Sequence, residues 1–252
     1  MCNSTPPALL SRRALLRTGG IAATAGLAAP AIAQQEGPQF YEPSHVPLAD
    51  GYANLSPDEA LDFLRQGNDA FLEGKLPAPD FSADRRLELA KGQAPFVAYV
   101  TCSDSRVPPE LLFGRGLGEL FIIRNAGNTL DTVAMGSVEY AVAELRVPLV
   151  VVMGHEACGA VKAAMAVVAE NAQFPGVIGQ MIEPIIPAVL AARDADGDAT
   201  EAAVRQNVRR QVRHLREAAD PLLLEPQSTG ALKVIGAYYD FDNGRVDFFD
   251  RP

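Results

Sequence analysis

Three side chains able to bind a borderline-soft metal ion stand in two short clusters, Cys102-Ser103-Asp104-Ser105-Arg106 and His155-Glu156-Ala157-Cys158-Gly159. Two thiolates and one imidazole suit Zn²⁺, and three protein ligands leave the fourth tetrahedral position free for chemistry. Asp104 and Arg106 share a loop with the first ligand, so a carboxylate with its own fixed cation can stand beside that position. The His-x-x-Cys spacing at a helix start brings both side chains to one side of the first turn, where the positive helix end favours the Cys158 thiolate. Gly154 and Gly159 are expected to allow tight turns there. The competing reading is a Cys102–Cys158 disulfide, a buried structural histidine and a solvated Asp104–Arg106 pair. Either cluster alone favours that reading; together, and with the dyad, they favour the metal.

The elements around these clusters predict where they sit. Phe96–Val100, Leu120–Ile123, Leu149–Met153 and Leu232–Tyr238 are continuous apolar runs of strand length, the pattern of strands buried on both faces. Thr129–Leu145, Gly159–Glu170 and Thr200–Ala219 have helical apolar spacing. Strands alternating with helices predict an α/β fold with a central, mostly parallel sheet flanked by helices. Ser56-Pro57-Asp58-Glu59 is a capping box opening an N-terminal helix, and Asp242-Asn243-Gly244-Arg245 turns a C-terminal hairpin from Ala237–Phe241 to Val246–Phe249. Both chemical clusters then follow directly on strands, at the carboxyl edge of the sheet where open α/β folds bind ligands. If the strands at 96–100 and 149–153 are neighbours, the three ligands converge.

Composition narrows the partners. With 48% hydrophobic residues, a net charge of −9 and only three cysteines among 252 residues, the chain can bury a core and is neither disordered nor a disulfide scaffold. Its acidity excludes a large nucleic-acid footprint, and the arginines of the helix at 205–216 read as a solvated or ion-paired face. Residues 1–33 combine Arg12, Arg13 and Arg17 with a short Ala/Gly-rich apolar stretch and Ala31-Ile32-Ala33, the pattern of a twin-arginine export signal. The expected product is a periplasmic protein with no stable membrane anchor. Its mature chain would hold 19 basic against 31 acidic residues, a charge of −12. Residues 34–54 read as an extended tail, and 55–252 as one domain.

From about Ser56 to Phe249 the chain resembles the β-class carbonic anhydrases of the exported bacterial, open-site type. The resemblance rests on the two clusters, on Gly118-Glu119-Leu120-Phe121 running to Arg124-Asn125-Ala126-Gly127-Asn128, on Ser137-Val138-Glu139-Tyr140, and on Gly236-Ala237-Tyr238-Tyr239. It implies reversible hydration of CO₂ to bicarbonate and a proton by zinc-bound hydroxide, with one Zn²⁺ per chain on Cys102, His155 and Cys158. Asp104 would orient the nucleophile and Arg106 would clamp Asp104. If the dyad broke, Asp104 could itself take the fourth metal position. The resemblance further implies a CO₂ pocket lined by Gln93, Phe121, Ala126, Tyr140 and Gly159, with Gln93 and the Gly159 N–H as donors to substrate oxygens. Gln93 nine residues before Cys102, and Tyr99 where an allosteric type carries Trp, indicate the open type. Arg124, which matches an arginine of the allosteric pocket, is expected to serve in salt bridges. A homodimer or higher oligomer is implied, with the helix at 56–72 as an arm. Two alternatives remain: hydrolysis of carbonyl sulfide or carbon disulfide on the same zinc site, and a non-catalytic disulfide-bonded binding protein.

Overall fold

A computed structural model describes residues 46–76 and 79–252; the export signal expected at 1–33 and most of the 34–54 segment lie outside the described residues. The strands are β1 (Leu48–Ala49), β2 (Tyr52–Ala53), β3 (Val97–Cys102), β4 (Leu120–Asn125), β5 (Leu149–His155), β6 (Lys233–Tyr239) and β7 (Val246–Asp250). The helices are α1 (Pro57–Leu72), α2 (Ala83–Leu89), α3 (Pro109–Leu112), α4 (Thr132–Ala143), α5 (Gly159–Glu170), α6 (Ile178–Ile182), α7 (Ile186–Ala192), α8 (Ala199–Arg216) and α9 (Pro221–Ser228).

The main sheet runs β4-β3-β5-β6-β7, parallel throughout except for the antiparallel pairing of β6 with β7. This is the expected α/β architecture. Every residue of β3 and β5 is buried, which is why these runs are apolar without alternation. Successive side chains still point to opposite faces. Tyr99, Val151 and Met153 pack with α1 and α3, whereas Ala98, Val100, Val150 and Val152 pack with α4, α8 and α9. From β3 the chain passes to β4 on one side, and β5 lies on the other. The crevice at the carboxyl ends of β3 and β5 is therefore a topological switch point, where no crossover covers the sheet edge.

At the amino-terminal side the structure adds detail that periodicity did not predict. Within the 34–54 segment, Leu48 pairs with Ala53 and Ala49 with Tyr52, closing on Asp50 and Gly51 at φ 53° and 83°. The Asp-Gly pair is the local signal for such a turn. Val46, Ala53 and Leu55 pack against the core, so this part is docked rather than a free tail. The capping box of α1 forms as expected: Glu59 N–H donates to Ser56 Oγ at 3.3 Å and Ser56 N–H to Glu59 Oε2 at 2.7 Å. Helix α1, the arm suggested by resemblance, lays Ala60, Leu61 and Leu64 on this chain's own core. Asn68, buried within it, donates to Gly244 O at 3.1 Å and accepts from Val246 N–H at 2.9 Å, tying α1 to the C-terminal hairpin.

Gly67 lets α1 approach α3, because a Cβ there would fall 2.0 Å from Phe113 O. In an exposed helix Gly→Ala stabilises by about 1 kcal/mol. Here the sign should reverse: Gly67→Ala is expected to destabilise the fold by about 1–3 kcal/mol through overpacking against backbone, measured as a lower urea midpoint at unchanged slope.

Helices α6, α7 and α9 were not legible in the sequence. Pro184 and Pro187 break the first two into short pieces and Pro226 lies inside the third, so none shows a sustained apolar period. The arginines of α8 are partly ion-paired, as expected: Arg205 with Glu201 and Asp247, and Arg216 with Asp250. Among the described residues no helix is long and apolar enough to cross a membrane.

Candidate metal centre

Cys102 is the last residue of β3 and His155 the last of β5, so both candidate ligands belong to their strands rather than following them. The strands pair in parallel, with Thr101 opposite Met153, which brings the two strand ends together. Cys158 stands at the amino-terminal cap of α5. Between His155 and Cys158, Ala157 adopts φ 53°, a left-handed conformation uncommon for a residue with a Cβ. That turn folds the chain back so that the candidate ligand atoms of Cys102, His155 and Cys158 all lie within 4.8 Å of one another.

The donor set fits Zn²⁺. The two sulfurs are unbonded and 4.0 Å apart, against about 3.8 Å spanned by two Zn–S bonds of about 2.3 Å at the tetrahedral angle; this separation does not support the disulfide reading. His155 Nδ1 lies 2.8 Å from Glu156 O. A carbonyl only accepts, so Nδ1 carries the proton and Nε2 keeps its lone pair. Nε2 is buried with no hydrogen-bond partner, an expensive state for a polar atom unless something binds it. Donation of the other ring N–H to a backbone carbonyl is the usual support of a metal-bound histidine.

The electrostatics favour a cation. The hydrogen bond between the thiols draws Cys102 down, with help from the Gly127 N–H at 3.4 Å, while the same bond and burial push Cys158 up. Binding of a metal ion would release whatever protons the two sulfurs hold. Asp104 is a bidentate partner of Arg106: Nε donates to Oδ1 at 2.9 Å and Nη2 to Oδ2 at 2.8 Å, and the Arg106 N–H adds a third bond to Oδ1 at 3.0 Å. These bonds, the side-chain ones foremost, hold the carboxyl well below the usual carboxylate range. Asp104 Oδ2 lies 3.9 Å from His155 Nε2, beside the open side of the triad.

Several supporting residues escaped the sequence reading. Within the chain, Arg124 donates Nε to Cys102 O at 3.0 Å and Nη2 to Asp104 O at 2.7 Å, a role apart from the salt bridges expected of it. One guanidinium fork thereby fixes the backbone of a candidate metal ligand and of the dyad. Asn207 of α8 donates to Gly127 O at 2.8 Å, steadying the peptide segment whose N–H points at Cys102 Sγ. No local motif marks Asn207, since its partner lies 80 residues away. The glycine expectation also needs correction. Gly154 sits within β5 so that α8 can approach: a Cβ would meet Val204 at 2.5 Å and Val208 at 2.9 Å. Gly159 has ordinary φ and open space around it, so no tight turn depends on it.

The residues expected to line one pocket are divided by the sheet. Ala126 adjoins Gly127, and Gly159 adjoins Cys158, so both are near the sulfurs. Phe121 pairs with Ala98 whereas Cys102 pairs with Asn125, which sets Phe121 four residues, about 13 Å, back along the strand. Tyr140 stacks near Phe121 with ring centroids 6.0 Å apart and is 50% exposed. Gln93 precedes β3 and is exposed at the opposite, amino-terminal edge. Within one chain these three do not reach the triad.

Comparison with known proteins agrees with this geometry. The carbonic anhydrase family profile matches residues 97–246. Carbonic anhydrase 2 of Mycobacterium tuberculosis is 37% identical over 193 residues, covering 77% of this chain and 93% of that protein. A carbonic anhydrase of Pseudomonas aeruginosa is 40% identical over 198 residues, covering 74% and 88%. Among solved structures, a tetrameric β-carbonic anhydrase of Sordaria macrospora superposes with a TM-score of 0.60 at 26% identity, over 76% of this chain and 97% of that one. The Coccomyxa β-carbonic anhydrase, solved with acetazolamide, gives 0.55 at 28% identity over 76% and 82%. By family profile, sequence identity and fold together, this chain belongs to the β-class carbonic anhydrases.

Proposed function

We propose that the chain hydrates CO₂ reversibly to bicarbonate and a proton, using one Zn²⁺ held by Cys102 Sγ, His155 Nε2 and Cys158 Sγ. The observation that carries this reading is the buried lone pair of His155 Nε2, without a partner, beside two free sulfurs and an ionised carboxylate. Zinc, when bound, supplies a Lewis acid that acidifies water and so provides a nucleophile at neutral pH. The two thiolates offset the ion's charge, so the protein must assist. Asp104, ionised and acceptor-only, holds the nucleophile's proton at Oδ2 and turns its lone pair toward the carbon of CO₂. Arg106 keeps both carboxylate oxygens engaged on its own fork and so keeps Asp104 off the metal. Cys158 and His155 keep their places through the α5 cap and the Glu156 carbonyl.

Gln93, Phe121 and Tyr140 join the pocket from a second copy of the chain. Support comes from their separation from their own triad and from exposed apolar side chains that a partner could cover: Val133 is 78%, Leu87 66% and Phe81 59% exposed. An isologous pairing would carry each chain's aromatic edge to its partner's metal crevice. Export to the periplasm is part of the same proposal, supported by Arg12-Arg13 and the Ala31-Ile32-Ala33 pattern. Stopped-flow CO₂ hydration with a pH indicator tests the reaction. The expected result is activity with one zinc per chain, lost on chelation and restored by Zn²⁺. Full activity in metal-free protein, or none in the zinc-loaded protein, overturns it.

A further inference from the structure

We infer that Phe241, on the loop between β6 and β7, is a positioning residue for the Asp104–Arg106 dyad, its aromatic face holding the Arg106 guanidinium in the plane that engages both oxygens of Asp104. What the dyad is for rests on the CO₂ reading above; its geometry does not. Arg106 Cζ lies 4.3 Å from the Phe241 ring centroid, well inside the range of a cation–π contact. The two contacts are independent restraints. Asp104 takes one edge of the guanidinium through Nε and Nη2, which leaves rotation about that edge free, and the ring covers the flat face, which removes it. The second restraint matters because the Arg106 side chain is 54% exposed, and nothing buried encloses it.

The ring is itself held from three sides. Phe241 N–H donates to Glu156 Oε2 at 2.8 Å, Tyr239 meets the ring edge-on at 5.1 Å, and the His155 ring lies 5.4 Å away. Glu156 is also the residue whose carbonyl accepts from His155 Nδ1. One residue therefore orients the metal-ligating imidazole through its backbone and the dyad's aromatic support through its side chain. Apolar packing accounts for the contact of Phe241 with Tyr239. It does not account for a half-exposed cation resting on the ring, since a guanidinium gains nothing from an aliphatic surface that water would not supply.

The test separates the π face from bulk. In the zinc-loaded full chain, Phe241→Leu removes the face, Phe241→Tyr keeps it, and pentafluorophenylalanine at 241 keeps the shape while reversing the ring's electrostatic sign. Two readouts are taken: hydrogen exchange of the Arg106 Nε–H by ¹⁵N NMR, assigned through its loss in Arg106→Lys, and kcat for CO₂ hydration. Leucine and the fluorinated ring should each speed exchange and lower kcat by about two- to fivefold, the weight of an exposed cation–π contact, at unchanged zinc content. Tyrosine should stay within about twofold of the parent. Should leucine perturb folding, the fluorinated ring decides, and parent-like exchange and kcat with it overturn the inference. A parent protein inactive on CO₂ would sink the proposed reaction yet leave the exchange comparison readable.

Discussion

Replacing Cys158 with serine is expected to leave the purified chain without stoichiometric zinc and to lower CO₂ hydration by at least about two orders of magnitude. Loss of a residue that merely supports a metal ligand costs about 10–100-fold in affinity, and Cys158 is proposed as a direct donor. A serine hydroxyl is a poor substitute because the thiolate is the species that binds, and an alcohol does not ionise at neutral pH. The measurement is metal content per chain beside CO₂ hydration on the same preparation. Helical content should persist, because Cys158 caps α5 without a side-chain hydrogen bond to its first turn. Zinc bound at one per chain in Cys158→Ser would refute the ligand assignment.

Arg106→Leu should show the opposite pattern, with zinc retained and activity lost. The substitution deletes two charge-assisted bonds to Asp104, from Nε and Nη2, and touches none of the three proposed ligands. A positioned proton-handling group contributes about 10²–10⁴-fold, so kcat should fall by about 100-fold or more. Asp104 serves only when ionised, and the Arg106 side chain is the foremost cause of its depressed pKa. In the parent the carboxylate is therefore already ionised wherever a metal-activated water, with a pKa of about 7, has lost its proton, so that water alone sets the acid limb. Without Arg106 the carboxyl returns upward only toward the usual carboxylate range and stays ionised at neutral pH, so kcat should fall at every pH with the acid limb in place. An undiminished kcat in Arg106→Leu at unchanged zinc content would show that Asp104 and Arg106 are not coupled in the reaction.

Much of the centre was legible in residue types alone. Two thiols and an imidazole at strand ends announce a metal, and the Ser56 capping box and Asn243-Gly244 turn appear where local chemistry placed them. Burial on both faces made β3 and β5 readable as apolar runs. The helices between 178 and 192 were not readable, because prolines interrupt their period before it repeats. One chain does not complete the pocket that the resemblance implies, for a different reason: Gln93, Phe121 and Tyr140 carry no mark in the sequence of which sheet edge they occupy. Only the register of β3 against β4, with Ala98 opposite Phe121 and Cys102 opposite Asn125, sets Phe121 about 13 Å back along the strand from the level of Cys102.

What the residue string determined by itself was the set of donors, the strands and helices that carry them, and the chemistry that such donors permit. These follow from interactions between residues one to four positions apart: side-chain alternation, helical spacing, caps and turns. What the tertiary structure decided was that β3 and β5 are neighbours, that Ala157 folds Cys158 back to His155, and that Arg124, Asn207 and Phe241 support the site. Apart from the Ala157 turn, those facts depend on contacts between segments from about 20 to more than 100 residues apart. Packing and strand register choose such contacts, and no local propensity encodes them.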